Sequence, residues 1–370
     1  MKLGTSSLTD EHGSIDNSAV AKAAGEVAEA RAAGHEVVMV SSGAVAAGLP
    51  ALGWKAEDRP TDPRTLQAIS AVGQARLVQV WNEELGVHGL VAGQVLLAPL
   101  DFMVRAQYLH ARSTLERLLE LGVIPVVNEN DAIADDEIRF GDNDRIAALV
   151  AQLLSADLLV LLTDTPGLMD ADPRLSADAT LIEEIVEIDH ELEQLAGGSG
   201  SARGSGGMAS KLAAAKMASW SGVRCLIAAA DRERVLPDAI EGATAAGRGD
   251  GPAPAVGTWV AAHQRKLPAR KLWIAFALPA EGRIVVDDGA VAALTSGGRS
   301  LLAAGVVRAE GAFAADAAVE ITDSTGRVVA KGLARMDTAT VNAVAGRRSS
   351  ELFDAAGEVV HRDDLVVMPG

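Results

Sequence analysis

The sequence predicts an α/β protein with a mainly parallel sheet sandwiched by helices, followed by a small β-barrel domain. Three observations support this prediction: β-type runs alternate with helix-like stretches up to about residue 230, Gly and Pro concentrate near 247–271, and short β-rich runs follow. We therefore expect one domain over residues 1–250 and a second over residues 271–370.

In the first domain, apolar periodicity separates strands from helices. Short runs rich in Val, Leu and Ile predict strands at 36–40, 90–97, 122–127, 156–162 and 223–230. Apolar residues three and four positions apart predict helices at 18–33, 64–85, 106–121, 144–154 and 208–221. Because parallel neighbours need a crossover connection, this alternation predicts a mainly parallel sheet with helices on both faces.

In the second domain, Gly or Asp turns separate the β-rich segments. These segments are "RIVVDD", "AAVEITD", "RVVAKGLA" and "EVVHRDDLVV", with short helices predicted near 288–296 and 338–345. A tail of about 100 residues with this texture is typical of a small β-barrel.

Composition excludes several classes of protein. The formal net charge of −17 disfavours nonspecific binding to nucleic acid or anionic membranes, and no apolar run is long enough to span a membrane, so we expect no membrane partner. The single cysteine, Cys225, excludes a disulfide framework and favours a cytoplasmic protein, and its apolar strand predicts an inert core position. No histidines are spaced as metal ligands, so we assign no residue to a metal.

Polar segments follow three of the predicted strands. The strand at 36–40 is followed by "SSGAVAAG", the strand at 122–127 by "NENDAIADDEIRFGDND", and the strand at 156–162 by "TDTPGL". Because ligands bind at the carboxyl ends of parallel strands, these segments are candidate binding loops.

The "GDND" segment at 141–144 holds more polar groups than a helix start needs. Only one of Asp142, Asn143 and Asp144 can cap the apolar helix that follows. The loop before it carries further carboxylate and amide side chains, among them Asn128, Asn130, Asp131, Asp135 and Asp136. Carboxylates repel one another unless a cation or hydrogen-bond donors lie between them, so a substrate ammonium, a lysine or Mg²⁺ is expected here.

Two lysines lie beside glycine-rich turns, where they suit phosphate oxygens. Lys2 precedes "GTSS", and Lys211 lies about one turn inside a helix that follows "SGG" at 205–207. The second segment does not satisfy the Walker pattern, which places Gly directly before Lys and Ser or Thr directly after it. Solvated lysines are the alternative for this pair, and ordinary helix caps are the alternative for "SSGAVAAG", Thr163 and Asp164.

Taken in order, six motifs resemble the glutamate 5-kinase branch of the amino acid kinase family. They are "KLGTS", "SSGAVAAG", "NEND", "GDND", "LLTDTPGL" with "DPR", and "GGMASK", and they run over residues 2–211. The tail resembles a PUA domain, so the resemblance covers nearly the whole chain. It implies an amino acid kinase-like domain followed by a PUA-like domain.

The resemblance also implies a reaction: ATP- and Mg²⁺-dependent phosphorylation of the γ-carboxylate of L-glutamate to L-glutamyl 5-phosphate, the first step toward proline. It implies that Lys2 and Lys211 flank the phosphates and that Asp144 orients both lysines, while Asp142 serves the loop or a hydrated metal. Contacts with glutamate are implied for Ser42, Asp131 and Asn143. Contacts with the nucleotide are implied for Lys2, Thr163, Asp164, Ser205, Gly206, Gly207, Met208, Ala209, Ser210 and Lys211.

Two further properties follow from the resemblance, and two departures qualify it. It implies a homo-oligomer and feedback inhibition by proline, which would exclude glutamate. The family has an apolar strand before its first lysine, whereas here only Met1 precedes Lys2, so we expect a shortened central strand and gains in stability and activity when upstream apolar residues are added. The second departure, Ser205 where Thr is common, keeps the hydroxyl.

Two alternatives stay open. Sister kinases acting on carbamate, acetylglutamate, aspartate or uridylate share the sheet and the phosphate chemistry. An RNA-binding PUA protein with a kinase domain impaired by the missing strand is an alternative from another class. The near-balanced charges of residues 270–370, without a basic stripe, argue against RNA as a partner.

Overall fold

The computed structural model describes residues 1–102, 104–133, 143–171, 176, 178–197, 207–248, 256–263, 267–278, 280–348 and 357–368. The chain divides into two compact units, residues 1–266 and 267–370. The first unit holds a mainly parallel sheet with helices and the second a mainly antiparallel sheet, so the predicted fold class is confirmed. The domain limits at residues 250 and 271 stay predictions.

The first unit alternates strands and helices along the chain. Its strands are β1 Lys2–Leu3, β2 Met39–Ser41, β3 Ala92–Leu97, β4 Ile124–Glu129, β5 Leu158–Thr163, β6 Glu184–Ile185, β7 Arg224–Ala229 and β8 Thr258–Val260. Its helices are α1 Asn17–Ala32, α2 Ala44–Ala51, α3 Pro63–Val87, α4 Arg105–Glu120, α5 Asn143–Leu153, α6 His190–Gly197, α7 Met208–Trp220 and α8 Val235–Arg248.

The eight strands of the first unit form one sheet in the order β3-β4-β2-β1-β5-β7-β8-β6. Neighbours pair in parallel except β7 and β8, which are antiparallel. Strand β1 is short but central, since Lys2 pairs with Val40 on one side and Leu161 on the other. This position buries Lys2 inside the sheet, which excludes the alternative of an exposed terminal lysine.

The helix starts follow from local sequence. The Asp16 side chain accepts hydrogen bonds from the backbone of Ser18 and Ala19 and caps α1. The Asp62 side chain accepts from the Thr65 backbone and caps α3, whose first residue is Pro63. These are the favoured residues for a cap and a first helical position, because the cap satisfies a free N–H and Pro has none to satisfy.

Helices α2 and α3 cross in close contact through glycine. A Cβ at Gly73 on α3 would lie 1.8 Å from the carbonyl oxygen of Ala44 on α2, and a Cβ at Gly48 on α2 would lie 2.2 Å from the carbonyl oxygen of Ile69. Only glycine therefore fits at either position without a shift of the backbone. The contact fixes α3 against the segment that leaves the carboxyl end of β2.

The second unit packs one sheet around an apolar core. Its strands are β9 Gly282–Val286, β10 Leu301–Leu302, β11 Val306–Gly311, β12 Ala318–Thr322, β13 Val328–Ala334 and β14 Glu358–Val367, and its helices are α9 Ala269–Leu272, α10 Asp288–Gly297 and α11 Thr338–Val344. The strand order is β10-β14-β13-β12-β9-β11, with β9 and β12 as a parallel pair. The core includes Ile284, Val319 and Val360. The two short helices predicted from the sequence are confirmed as α10 and α11.

Two details of the prediction need correction or addition. The strand predicted at 36–40 begins instead at Met39, because the ladders to β1 and β4 start at Met39 and Val40. The sequence pattern also missed β6 and β8, which are two and three residues long.

Cys225 is fully buried in β7, as predicted, and burial raises the pKa of its thiol. Among the described helices, none has an apolar stretch long enough to cross a bilayer.

Candidate active site

Three charged side chains from separate elements meet beside the carboxyl end of β1. Lys2 on β1 places its Nζ 2.6 Å from Oδ1 of Asp144, and Lys211 on α7 places its Nζ 3.4 Å from Oδ2 of the same carboxylate. All three are buried, and the Asp144 side chain is only 1% exposed. The sequence separates these residues widely, and the fold brings them together as the resemblance implied.

The cluster pairs two ammonium groups with one shared carboxylate. Buried charges are costly unless they are paired and hydrogen-bonded, and Asp144 gives each lysine such a partner. Burial by itself would raise the pKa of Asp144, but Lys2 and Lys211 outweigh it and the pKa lies below the ordinary value. The carboxyl therefore stays ionised at neutral pH, and the two ammonium groups beside it are suited to bind an anion.

Helix α7 adds backbone donors beside the cluster. Its N-cap is Gly207, which has no side chain to occupy the first N–H groups of the helix. Ser210, in the first turn, donates its hydroxyl to Oδ2 of Asp144 at 2.7 Å. The start of α7 therefore lies against the Lys2, Asp144 and Lys211 cluster and offers N–H groups and a helix dipole to a phosphate.

A network of amide side chains lies beneath the loop that follows β2. Asn143, the first residue of α5, donates from Nδ2 to Oγ of Ser42 at 3.1 Å and to Oδ1 of Asn128 at 2.9 Å. The backbone N–H of Glu129 donates to Oδ1 of Asn128 at 2.9 Å and to Oδ1 of Asn143 at 3.1 Å. Asn143 and Asp144 are thus both buried and used inward, which answers why "GDND" exceeds the needs of a helix cap.

Asp131 lies in the turn after β4, close to the same network. Its Oδ2 accepts a short hydrogen bond from the hydroxyl of Ser70 on α3. Burial raises the pKa of Asp131, while the Ser70 hydrogen bond and the charge of Arg59 act in the opposite direction. A carboxylate held in this way suits the ammonium group of an amino acid.

Thr163 and Asp164 follow β5 at the same edge of the sheet. Thr163 is buried, Asp164 is exposed, and the Thr163 hydroxyl donates to Oδ1 of Asp164 at 3.1 Å. In the described residues after them no helix begins before His190, so the alternative that they cap a following helix is wrong. Their polar atoms remain available to a ligand at the strand end.

Some predicted site residues fall outside the described residues. Asp135, Asp136, Asp142, Ser205 and Gly206 belong to this group. Gly207, Met208, Ala209 and Ser210 are described and form the N-cap and first turn of α7.

Sequence reasoning missed the contribution of helix α3 to the site. Gln74 accepts at Oε1 from Nδ2 of Asn128 at 2.7 Å, and Trp81 donates from Nε1 to the hydroxyl of Ser41 at 2.9 Å. The signal was present in the sequence, because Ser70 and Gln74 interrupt the otherwise apolar buried face of this helix.

Side chains of this chain do not form a cation cage in the described ranges. No group of three or more His, Cys, Asp or Glu residues there could hold a metal ion.

Comparison with known proteins places the chain in a class. The model of the amino acid kinase family matches residues 1–229, and the model of the PUA domain matches residues 282–353. Both matches agree with the two units of the structure.

Curated relatives extend the match to the full chain. A glutamate 5-kinase of Ralstonia nicotianae is 44% identical over 373 aligned residues, covering 100% of this chain and 96% of the relative. A glutamate 5-kinase of Burkholderia mallei is 43% identical and is covered to 97%. The chain therefore belongs to the amino acid kinase family, in the branch of the glutamate 5-kinases.

A solved structure was also compared. The isopentenyl phosphate kinase of T. acidophilum in its product complex has a TM-score of 0.43 at 18% identity, over 70% of this chain and 97% of that chain. This similarity is too low to bear on function.

Proposed function

We propose that this protein catalyses ATP-dependent phosphorylation of the γ-carboxylate of L-glutamate, forming L-glutamyl 5-phosphate as the first step toward proline. The observation that carries the proposal is the buried meeting of Lys2, Asp144 and Lys211, in which two ammonium groups lie against one carboxylate. The full-length glutamate 5-kinase relatives support the choice of glutamate over the substrates of sister kinases and do not favour an impaired RNA-binding protein.

The reaction needs positioning and charge neutralisation rather than a general base. An oxygen of the γ-carboxylate, already ionised, attacks the γ-phosphorus of ATP, one O–P bond forms, and the bond to the bridging oxygen breaks with its electrons leaving on ADP. The ammonium groups of Lys2 and Lys211 stabilise charge on the phosphoryl group in transit. Asp144 orients both lysines and prevents them from repelling each other.

The nucleotide and the amino acid would occupy neighbouring halves of the site. The N–H groups of Gly207, Met208 and Ala209 at the start of α7 would donate to the phosphates, while the Ser210 hydroxyl holds Asp144 beside them. Ser205 and Gly206 precede them in the sequence and are proposed as further contacts of the nucleotide. Thr163 and Asp164 contact the nucleotide at the end of β5. Glutamate is held by Ser42, Asp131 and Asn143, with Asp131 directed to its ammonium group.

Mg²⁺ fits this site as a companion of the nucleotide. The ion would be carried by the phosphate oxygens of ATP, which the lysines and the start of α7 are suited to hold, and Asp142 is the proposed contact of the hydrated metal. Its chemistry there would be to neutralise charge between the β- and γ-phosphates.

Acyl phosphate formation tests the proposed function directly. The full chain is incubated with ATP, Mg²⁺ and glutamate, and the product is trapped with hydroxylamine as the hydroxamate. We expect product with glutamate and much less with aspartate, acetylglutamate, carbamate or uridylate. Greater turnover of one of those substrates, or no product from any, would overturn the proposal.

Three further properties belong to the same proposal. A homo-oligomer and inhibition by proline follow from the resemblance, and proline and glutamate should then exclude each other in binding. A cytoplasmic location fits the single buried cysteine, which needs no oxidising compartment. No contact with RNA is required for this reaction.

A further inference from the structure

Helix α3 inserts two polar side chains into the buried region beside the amino-acid loops. Ser70 is 3% exposed and Gln74 is 7% exposed, and both lie on the face that also carries Ile69, Leu77 and Trp81. Because they are four residues apart, they project from the same side of the helix. Gln74 contacts Asn128 near the end of β4, and Ser70 contacts Asp131 in the turn after β4.

One backbone donor fixes the orientation of the amides in this network. The N–H of Glu129 can only donate, so Asn128 and Asn143 must both direct their Oδ1 oxygens toward it. The Nδ2 of Asn128 then faces Gln74, which must present its Oε1 oxygen as the acceptor. The side-chain amides of Asn128, Asn143 and Gln74 therefore each have a single allowed orientation.

A buried glutamine at position 74 does not satisfy all of its own hydrogen-bonding groups. Its Nε2 is buried and has no hydrogen-bond partner within the described part of the chain. A buried donor in this state destabilises the folded protein. The contact with Asn128 is the interaction that Gln74 makes, so its effect on Asn128 is what it contributes.

The orientation of the amides determines what Ser42 offers to a substrate. Asn143 gives one Nδ2 hydrogen to Asn128 and the other to Oγ of Ser42, so both hydrogens are used. Because the Ser42 oxygen accepts, the hydroxyl hydrogen is left to be donated outward. A carboxylate is an acceptor and meets this donor correctly.

Ser70 acts on the second contact point. Its hydroxyl donates to Oδ2 of Asp131, which leaves Oδ1 without a hydrogen-bond partner among the described residues. A carboxylate held through one oxygen has a defined direction for the other. That direction is required if the second oxygen is to receive an ammonium group.

We propose that Gln74 and Ser70 are positioning residues of the glutamate site: Gln74 sets the Ser42 hydroxyl as a donor through Asn128 and Asn143, and Ser70 aims Asp131 at the substrate ammonium. This inference deepens the proposed function and rests on it. The close contact of Gly73 with α2 supports it, since it holds α3 at a fixed distance from the loop that carries Ser42.

The test separates glutamate binding from nucleotide binding in the full chain. Gln74→Met removes the acceptor while keeping the length of the side chain, and Ser70→Ala removes one hydroxyl. We expect each variant to raise the KM for glutamate about tenfold with a KM for ATP changed less than about twofold, because only the amino-acid contacts lose their orientation. Gln79→Met is the matched control, since Gln79 is exposed on the same helix and bonds only Glu83 at 2.7 Å in the described contacts.

The outcomes distinguish this inference from the proposed function. An unaltered protein that forms no acyl phosphate from glutamate would overturn both. An active unaltered protein, with an unchanged glutamate KM in Ser70→Ala and Gln74→Met, would overturn the inference alone, as would equal rises in both KM values. If Gln74→Met fails to fold, Ser70→Ala decides, because loss of one hydroxyl leaves the packing of α3 intact.

Discussion

Lys2 and Lys211 both contact the carboxylate of Asp144, and their ammonium groups can stabilise negative charge on a phosphoryl group in transit. Groups of this kind act most strongly where water is scarce and where they are already in place before the reaction. Their burial therefore favours stabilisation of the transition state over simple attraction of the nucleotide.

Replacement of Lys211 tests this view at a single side chain. Lys211→Ala should lower kcat by about 10²–10³-fold, the usual cost of one preorganised donor, with a much smaller rise in the KM for ATP. Steady-state hydroxamate formation measures both constants. Lys55→Ala is the control, since the Lys55 side chain is 78% exposed and should not matter. An unchanged kcat in Lys211→Ala would remove the lysine from its proposed role.

Replacement of Asp144 tests the charge balance through pH. The pKa of Asp144 is depressed in the folded state, so its stabilisation is complete above the ordinary aspartate pKa of about 3.9 and is lost as pH falls through the lower folded-state value. Asp144→Asn removes the carboxylate that Lys2 and Lys211 both contact and should cost about 3–5 kcal/mol at neutral pH. The difference should shrink below about pH 4, because a protonated Asp144 resembles asparagine.

Urea unfolding of the unaltered protein and of Asp144→Asn at neutral and acidic pH measures this difference. Asp363→Asn serves as control, because the Asp363 side chain is 73% exposed and its replacement should have little effect at any pH. A constant difference between Asp144→Asn and the unaltered protein across the range would contradict the assigned ionisation.

At the scale of elements, the crossing of α2 and α3 predicts opposite effects on stability for alanine substitutions at two glycines of α3. Gly73→Ala places a methyl group 1.8 Å from the Ala44 carbonyl, so the helices must separate, and we expect a loss of about 3 kcal/mol or more. Gly86→Ala lies on the same helix with no atom within 4 Å of the new Cβ and should stabilise by up to about 1 kcal/mol. Denaturant midpoints of both variants measure the contrast, and equal midpoints would show that the contact is not tight in solution.

The elements also show what sequence patterns can and cannot predict. Helices α3 and α5 were predicted at 64–85 and 144–154 and are found at Pro63–Val87 and Asn143–Leu153, because apolar periodicity over three or more turns is a strong local signal. Strands β6 and β8 were missed because two or three residues carry no period, and their pairing comes from distant parts of the chain.

The candidate site likewise had a part that the sequence predicts and a part that it does not. The lysines and polar loops could be predicted, because motif order and strand ends are visible in the sequence. The contacts of Gln74 with Asn128 and of Asn143 with Ser42 could not, because they join residues 54 and 101 positions apart through side-chain geometry. Ser70 and Gln74 offered the only local hint, as polar residues within an apolar helix face.

At the scale of the whole molecule, the distribution of charge bears on partners. The formal net charge is −17, and several arginines of the second unit lie beside carboxylates, including Arg270 with Asp364 at 2.7 Å and Arg308 with Glu310 at 2.7 Å. Such pairs cancel the positive potential that attracts a phosphate backbone. The PUA domain match therefore does not by itself predict RNA binding here.

We expect the full chain to show no binding to single-stranded or hairpin RNA at micromolar protein and low salt. A gel-shift or polarisation titration measures this, with a basic RNA-binding protein as positive control. Binding that weakens steeply as salt is added would contradict the prediction and would give the second unit a separate activity.

The N–H that orients Asn128 and Asn143 belongs to the main chain of β4, at Glu129. Every amino acid except proline supplies that group, so sequence drift at this position cannot reverse the two amides. The main chain of the sheet therefore determines this part of the selectivity. Relatives with another residue at position 129 should still prefer a substrate group that accepts a hydrogen bond from Ser42.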